Sequence, residues 1–366
     1  MVIASVILVN MYQDSREVPV YTASNHTTKE VSLSGKGYTT NVTLGAIGDI
    51  LIHDWVYEDA YNGASYNFKP MFQYVKDSLQ APDVLLANQE TVLGGTELGL
   101  SSYPMFNSPQ EVGDALMDAG IDIVSTANNH SLDRGEKGIL TSISYYEKVG
   151  LPYVGFFKDK QDQSTIRIIH KNGVKIAYLA YSYGTNGIPV PEGKDYLVNL
   201  IDKNKMKTEI HKAREIADVV VMSVHWGKEY QRIPTDEQQQ LGQFLVDEGV
   251  DIVFGHHPHV LQPMQMLKSK DHRNAFIVYS LGNFLSGQMW DYKDIGGLAT
   301  INIKKEVSPQ GTKIDLSNPQ FVPTYVSNKH LKEYRIVPLK NAGPFGLKDA
   351  AKQNEEIMKH MTQWLR

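Results

Sequence analysis

The chain has 366 residues and a formal net charge of −5, with 42% hydrophobic and 21% charged residues. A chain of this size and composition can bury a large core, as one domain or as one domain with an appendage. The acidic balance gives no reason to expect nucleic acid as a partner, because nucleic acid calls for a basic face. Cysteine is absent, which excludes disulfides and leaves nitrogen and oxygen as the ligands of any bound metal.

The first 41 residues are predicted to form an anchor remnant and a flexible tether. Val2–Val9 is apolar but too short to span a bilayer, which takes about 20 residues, and no basic segment precedes it as in a signal peptide. We interpret it as the remnant of a longer signal anchor; a stray first strand is the alternative. Residues 10–40 are polar and lack periodicity, which suits a tether. The sequence therefore predicts a membrane-anchored extracellular protein of the cell surface, its anchor truncated in this chain.

From residue 42 to 303, apolar runs alternate with stretches of helical periodicity, which indicates a layered α/β domain. Helices are predicted over residues 68–80, 108–119, 138–149, 206–217 and 235–248. After Ile301 the segments alternate and predict edge or antiparallel strands, and residues 347–365 predict a surface helix. We assign residues 42–303 to the main domain and residues 304–366 to strands and a helix that complete it.

Six apolar runs that are predicted as buried strands each end in residues able to bind metal or transfer protons. They cover residues 43–54, 83–90, 121–133, 218–229, 251–259 and 276–284. A buried strand requires apolar residues, but it does not require His, Asp, Glu or Asn after them. Because ligands of open α/β sheets bind at the carboxyl ends of the strands, we expect the active site along this edge.

His257 and His259 form the sharpest local signal. Residues two apart in an extended segment point to the same side, so both rings can face one ion, and Pro258 stiffens the turn between them. The alternative is a pair of solvent-exposed loop histidines. Asp49 follows Gly48, which lets the backbone turn tightly, although Gly-Asp alone is more often a plain turn. His53 either adds a ligand or lines the pocket.

Further donors follow the other strands. Glu90 lies directly beyond an apolar run, where a surface role is the alternative. Asn129 offers an amide oxygen as a ligand, His130 an imidazole as a proton donor, and Asp133 a carboxylate that can orient that ring; tandem asparagine otherwise marks a turn. His225 closes another apolar strand, where a packed core histidine is the alternative.

The donor set consists of nitrogen and oxygen atoms, which suits Zn, Mn or Fe better than Ca or Mg. It exceeds the three protein ligands that one catalytic ion usually takes. Two divalent transition-metal ions about 3.5–4 Å apart would use the whole set, activate water and stabilise a charged transition state. His130 is then the candidate that protonates the leaving group. No Gly-x-Ser-x-Gly motif for a serine nucleophile occurs.

The chain resembles the poly-gamma-glutamate capsule-synthesis proteins of the CapA type, which are themselves similar to calcineurin-like binuclear metallophosphatases. The resemblance covers about residues 42–303 and rests on Gly48-Asp49, Asn88-x-Glu90, Asn128-Asn129-His130, His225-Trp226-Gly227, Gly255-His256-His257-Pro258-His259 and Ser280-Leu281-Gly282-Asn283-Phe284. It implies a metallophosphatase-like α/β fold, a four-layer sandwich of two mixed β-sheets flanked by helices. By position it implies that the metal ligands are Asp49, Glu90, Asn129, His225, His257 and His259. Glu90 takes the place of the bridging carboxylate and His130 that of the catalytic imidazole.

The chain also departs from the phosphatase pattern. The usual Asp-x-His is missing after Asp49, glutamate replaces aspartate at Glu90, and no aspartate directly follows His130. These differences bear on phosphatase activity more than on metal binding. The loop of residues 101–108 is expected to wall the pocket, with an ordinary connecting loop as the alternative.

The resemblance implies a role in capsule biosynthesis, with a hydrolase-like metal site that acts in polymer assembly or export at the cell envelope. Its substrate would be an anionic polymer or a phosphoester, and its partners would be membrane-bound capsule-synthesis proteins. The alternative is a non-catalytic component of a membrane assembly complex that binds metal or polymer. A soluble intracellular nucleotidase fits the motifs but not the N-terminal tether.

Overall fold

The structure, a computed structural model, describes residues 37–365. The strands are β1 (Tyr38–Leu51), β2 (Val84–Gln89), β3 (Ile123–Ser125), β4 (Tyr153–Val154), β5 (Arg167–Lys171), β6 (Val174–Ser182), β7 (Val219–His225), β8 (Ile252–His256), β9 (Leu261–Lys268), β10 (Asn274–Leu281), β11 (Asn283–Ser286), β12 (Ile295–Ser308), β13 (Gly311–Lys329) and β14 (Lys332–Pro338). The α-helices are α1 (Asp54–Ala60), α2 (Lys69–Phe72), α3 (Lys76–Leu79), α4 (Glu111–Ala119), α5 (Gly135–Val149), α6 (Lys160–Ser164), α7 (Lys203–Ile216), α8 (Asp236–Glu248) and α9 (Ala350–Thr362). The predicted anchor remnant and most of the tether lie outside the described residues, and β1 begins within the last part of that segment, at Tyr38.

The strands form two mixed sheets. The first has eight strands in the order β14-β13-β12-β1-β2-β3-β4, with β11 also paired to β1, and the second has six in the order β5-β6-β7-β8-β10-β9. Within them β1-β2-β3-β4 and β6-β7-β8-β10 run parallel, whereas β12 to β14, β5 and β9 pair antiparallel. The carboxyl ends of the parallel strands therefore line one edge of each sheet.

Three apolar layers hold the sheets and helices together. Between the sheets, side chains of β1 and β2 such as Leu44 and Leu86 pack in one buried cluster with Val221 and Phe254 of the second sheet. The outer face of the first sheet is covered by α1 to α5, and that of the second by α7 and α8. The predicted four-layer α/β sandwich with two mixed sheets is confirmed.

Most predicted helices lie close to their expected bounds, and two differ for reasons that the hydrogen bonds show. The stretch 68–80 is split into α2 and α3, because the Val75 amide donates to the carbonyl of Phe72 (3.0 Å) and tightens the chain between them. Helix α4 begins at Glu111 rather than at Ser108. Ser108 is not its cap, because its hydroxyl donates to Thr91 (2.8 Å). Within residues 37–365 no helix combines the length and apolar character needed to cross a bilayer.

Gly48 is the point at which the two sheets meet. Strand β1 pairs with β12 as far as Ile47 and with β11 from Asp49 onward, and its register with β2 shifts at the same place. The Asp49 amide donates to the carbonyl of Gly282 (2.8 Å), the residue that joins β10 of the second sheet to β11 of the first. A Cβ atom on Gly48 would overlap that carbonyl oxygen. The bulge thus requires glycine, and it re-aims Asp49 toward the second sheet.

We expect Gly48→Ala to lower the free energy of unfolding by about 2 kcal/mol, because the added methyl group forces two backbones apart. The measurement is urea denaturation followed by far-ultraviolet circular dichroism. Gly343→Ala is the matched control, since a Cβ atom there meets nothing within 4 Å. Equal stability of the two variants would contradict the close approach.

Candidate metal centre

The site lies where the carboxyl ends of both sheets face each other. Asp49 is in β1, Glu90 follows β2, Asn129 follows β3, and His225 ends β7. His257 and His259 follow β8, and all six side chains are buried. Just below them, the hydroxyl of Ser223 in β7 donates to that of Ser125 in β3 (2.7 Å), which ties the sheets together under the site. The structure therefore brings together the donors that the sequence placed on separate strands.

Asp49 is fully buried and surrounded by polar partners. Its Oδ1 accepts a hydrogen bond from Asn88 Nδ2 (2.8 Å) and lies 3.5 Å from His256 Nδ1. Its Oδ2 lies 3.1 Å from His259 Nδ1. Burial alone would raise the pKa of Asp49, but its contacts with His256 and His259 hold that pKa below the ordinary value. Asp49 is accordingly a carboxylate in the folded protein.

Glu90 has the opposite surroundings. It is 1% exposed, and neither carboxylate oxygen has a hydrogen-bond partner among the described residues. Burial raises the pKa of Glu90 well above its usual range, while the nearby His259 lowers it. A buried carboxyl group without hydrogen bonds is costly, and a bound metal cation would stabilise its charged form.

Imidazole and amide donors surround Glu90 at distances longer than hydrogen bonds. His225 Nε2 lies 3.5 Å and His259 Nε2 lies 3.8 Å from Glu90 Oε1. His225 Nε2 also lies 2.8 Å from Asn129 Oδ1. Two ligands that each lie about 2.1 Å from one tetrahedral ion are roughly 3.4 Å apart. The spacing around Glu90 therefore fits atoms that share ions better than atoms that bind each other.

The described residues contain two groups of carboxylate and imidazole atoms that could hold a metal ion. One group consists of Glu90, His257 and His259, and the other of Asp49, Glu90 and His225. In each group the donor atoms lie within 4.8 Å of one another, and Glu90 belongs to both. These are nitrogen and oxygen donors of the kind that zinc, manganese and iron accept. The residues present thus fit divalent metal ions.

The protonation states suit metal binding. Burial lowers the pKa of His257 to about 3 and, together with the neighbouring His257, that of His225 well below its ordinary value. Both rings are therefore neutral and can offer a lone pair. Burial would also lower the pKa of His259, but the charges of Glu90 and Asp49 raise it to about 9. A bound cation removes that last effect, because it replaces the proton as the partner of both carboxylates.

The backbone of the His-Pro-His segment is strained. His257 has φ 97° and His259 has φ 59°, in the left-handed region that residues other than glycine rarely adopt. Such conformations cost about 1–3 kcal/mol each and persist where the surrounding structure fixes them. Here they turn both rings inward to Glu90. His257 and His259 therefore face the same centre because the chain turns between them, and not because the segment is extended.

His130 and Asp133 form a separate buried pair beside the ligand groups. Asp133 Oδ2 lies 2.7 Å from His130 Nδ1 and also accepts a hydrogen bond from the Phe106 amide (2.6 Å). The ring of Phe106 packs edge-on against His130 at 4.7 Å between centroids. This arrangement fixes the ring and leaves Nε2 for proton exchange. The contact between Asp133 and His130 matches the prediction from the sequence that Asp133 orients the His130 ring.

His53 lies near the site but outside both ligand groups. The Gly287 amide donates to its Nδ1 (3.2 Å), and the carbonyl oxygen of Leu51 lies 3.1 Å from the same atom. Its ring stacks on Trp55 at 5.4 Å and meets Phe106 edge-on at 5.2 Å. The ring of His53 is thus held by aromatic packing beside the site, and its assignment as a metal ligand stays a prediction.

Sequence reasoning assigned no role to several residues of the site. His256 is fully buried beside Asp49, Asn88 donates to Asp49, and Asn283 Oδ1 lies 3.1 Å from His259 Nδ1. Tyr183 packs on His257 at 4.6 Å between ring centroids. Asn88, His256 and Asn283 lie inside the sequence motifs quoted above, and that position could have identified them as residues of the site. Tyr183 follows β6 and had no such signal.

The chain is similar to known bacterial capsule proteins. The family model described as "Bacterial capsule synthesis protein PGA_cap" matches residues 43–288. The capsule biosynthesis protein CapA of Bacillus anthracis is 31% identical over 262 residues, which is 68% of this chain, and the chain spans 61% of that relative's length. The PGA biosynthesis protein CapA of Bacillus subtilis is 28% identical over 323 residues, covering 82% of this chain and 78% of that protein. Among solved structures, a 5'-nucleotidase precursor from Thermus thermophilus is similar with a TM-score of 0.44 and 11% identity, over 88% of this chain and 59% of that chain.

We predict that His53 makes the protein less stable in acid. Burial lowers the pKa of His53 to about 4 from an ordinary value of 6.5, so between these values the unfolded chain binds a proton that the folded chain does not. The free energy of unfolding must fall as the pH drops through this window, by up to about 3 kcal/mol. Urea denaturation from pH 8 to pH 4, with a chelator present, should show a smaller fall for His53→Asn.

The exposed His170 supplies the control variant, His170→Asn. Its difference from the unmodified protein should stay nearly constant with pH. A His53→Asn difference that is equally constant would show that the buried ring does not exclude the proton.

Proposed function

The chain belongs to the bacterial capsule synthesis protein family PGA_cap, and from that premise we propose that it acts in capsule-polymer assembly at the cell envelope through a two-metal, hydrolase-like site. The observation that carries the proposal is Glu90. Its buried carboxylate oxygens have no hydrogen-bond partner among the described residues, and Glu90 belongs to both groups of candidate ligands. A carboxylate in that position suits a bridge between two cations.

The ligands would divide around Glu90. Asp49 and His225 would complete one ion and His257 and His259 the other, with the amide oxygen of Asn129 beside His225 as a further donor. When bound, two such ions act as Lewis acids and lower the pKa of water so that it is a nucleophile at neutral pH. Manganese, zinc and iron all suit these donors.

The residues of the chain would perform the remaining chemistry. Asp133 holds His130 by its Nδ1 atom (2.7 Å), so the ring presents Nε2 to a leaving group. A positioned imidazole of this kind typically contributes about 10² to 10⁴ in rate. Burial of the site excludes bulk water and strengthens each of these interactions.

The biological setting follows from the family. The printed names of the relatives concern capsule and PGA biosynthesis, and we propose the same setting here. The substrate would be an anionic polymer or a phosphoester, and the partners membrane-bound capsule-synthesis proteins. In this setting the domain would stand on the outer side of the membrane.

The first test concerns the metal. Protein purified without added metal should carry about two transition-metal ions per chain by elemental analysis. Glu90→Gln should carry less than half of that, because it removes the shared charge while preserving size. Glu97→Gln, an exposed carboxylate on a 3-10 helix, is the control and should keep the full amount. Absence of metal from the unmodified protein, even after dialysis against manganese and zinc, would defeat the proposal.

The second test concerns His130. We expect His130→Asn to lower kcat by about 10² or more and to leave metal content nearly unchanged, because its ring lies outside both ligand groups. Steady-state kinetics with phosphoester, peptide and γ-glutamyl chromogenic substrates would measure this. Asp133→Asn should show a smaller loss in kcat. If metal-loaded protein turns over none of these substrates, a non-catalytic component of the assembly complex becomes the better account.

A further inference from the structure

A pocket of about 410 Å³ opens beside His130. Asn129, His130 and Asp133 form one side of it, and Tyr103, Pro104 and Met105 form part of its wall. The loop of residues 101–108 thus walls this pocket, as the sequence predicted. Because His130 is the candidate donor of a proton to the leaving group, the pocket next to its ring is where that group would lie.

The pocket is acidic. Glu229 and Asp133 both line it, whereas none of the lining residues is a lysine or an arginine. Asp133 is already engaged by His130 and by the Phe106 amide. Glu229 is exposed and follows β7 by four residues, so it presents a solvated charge at the mouth.

Such a pocket discriminates between leaving groups. A phosphate there would meet the charge of Glu229 in a pocket that no lysine or arginine lines. The alcohol released from an ester or phosphoester is neutral and gains little from a carboxylate. The amine released from an amide becomes an ammonium ion when protonated, and a carboxylate is its natural partner.

We propose that this pocket receives the leaving group of an amide substrate and that Glu229 binds the ammonium ion which that group becomes. The inference rests on the proposed hydrolytic function and specifies its substrate class. Glu229 is then a specificity-determining residue that favours amides over esters and phosphoesters.

The reaction balances without any further reactant. The oxygen of one water molecule forms a bond to the amide carbonyl carbon, and the carbon–nitrogen bond breaks. The acyl portion leaves as a carboxylate. The nitrogen takes up both protons of that water, one by way of His130, and leaves as R–NH₃⁺ opposite Glu229. The two products carry opposite charges, and they separate toward opposite ends of the site.

The first experiment measures binding without turnover. Ligand-observed NMR titration of the full chain with n-butylamine and with n-butanol compares a cation with a neutral molecule of similar size. We expect Glu229→Gln to weaken butylamine binding by about three- to five-fold, the size typical of an exposed charge pair, and to leave butanol binding unchanged. Glu192→Gln removes an equally exposed charge that does not line the pocket, and it should change neither. Equal butylamine binding by the unmodified protein and Glu229→Gln would overturn the inference.

The second experiment uses an amide and an ester with the same acyl group and matching leaving groups, with metal-loaded protein. We expect kcat/KM for the amide to fall by the same factor in Glu229→Gln, while that for the ester stays within two-fold of the unmodified protein. A fall of equal size for both substrates would overturn the inference, since the charge of Glu229 would then not distinguish the amide nitrogen from the ester oxygen. If neither substrate nor a phosphoester is hydrolysed, the proposed function fails, and the butylamine comparison still decides whether Glu229 binds ammonium.

Discussion

The contact between Gly48 and Gly282 is the constraint on which the site depends. The first sheet carries Asp49 and Glu90, and the second carries His225, His257 and His259. Two sheets whose interior side chains pack face to face lie about 10 Å apart, and at the site this space is filled by polar side chains from both sheets. At Gly48 the backbones come within hydrogen-bond distance, because neither glycine has a side chain to separate them. Carboxylates from one sheet can therefore meet imidazoles from the other.

Bringing the sheets together creates an electrostatic problem that the described side chains solve only in part. Asp49 is stabilised by Asn88, His256 and His259. Glu90 accepts no hydrogen bond from the described residues, and burial of such a carboxylate costs several kcal/mol. An apolar side chain of similar size would be easier to bury at that position. The arrangement is costly for an empty fold and favourable for one that binds cations.

The sequence predicted the layers and the edge that carries the site, because both follow from patterns within single segments. Apolar runs followed by His, Asp or Glu located β1, β2, β7 and β8, and the His-Pro-His motif located the turn after β8. The patterns did not locate the bulge at Gly48, the split between α2 and α3, or the role of Glu229. Each of these depends on contacts between residues far apart in the chain, such as that of Asp49 with Gly282. The assignments of individual ligands stay predictions until metal is measured.

Under the proposed function, the charge distribution across the site determines where each part of a substrate would lie. The centre between the sheets combines two carboxylates with several imidazoles and would become strongly positive with two divalent ions bound. The pocket beyond His130 contains Glu229 and no basic residue. A substrate that lies across both regions must place its electron-rich acyl or phosphoryl oxygen at the centre and a neutral or positive group in the pocket. An amide meets both requirements, since its carbonyl oxygen becomes negative and its nitrogen becomes positive as the bond breaks. A phosphate monoester releases a neutral alcohol into the pocket, and this alcohol gains less from the charge of Glu229 than an ammonium ion does.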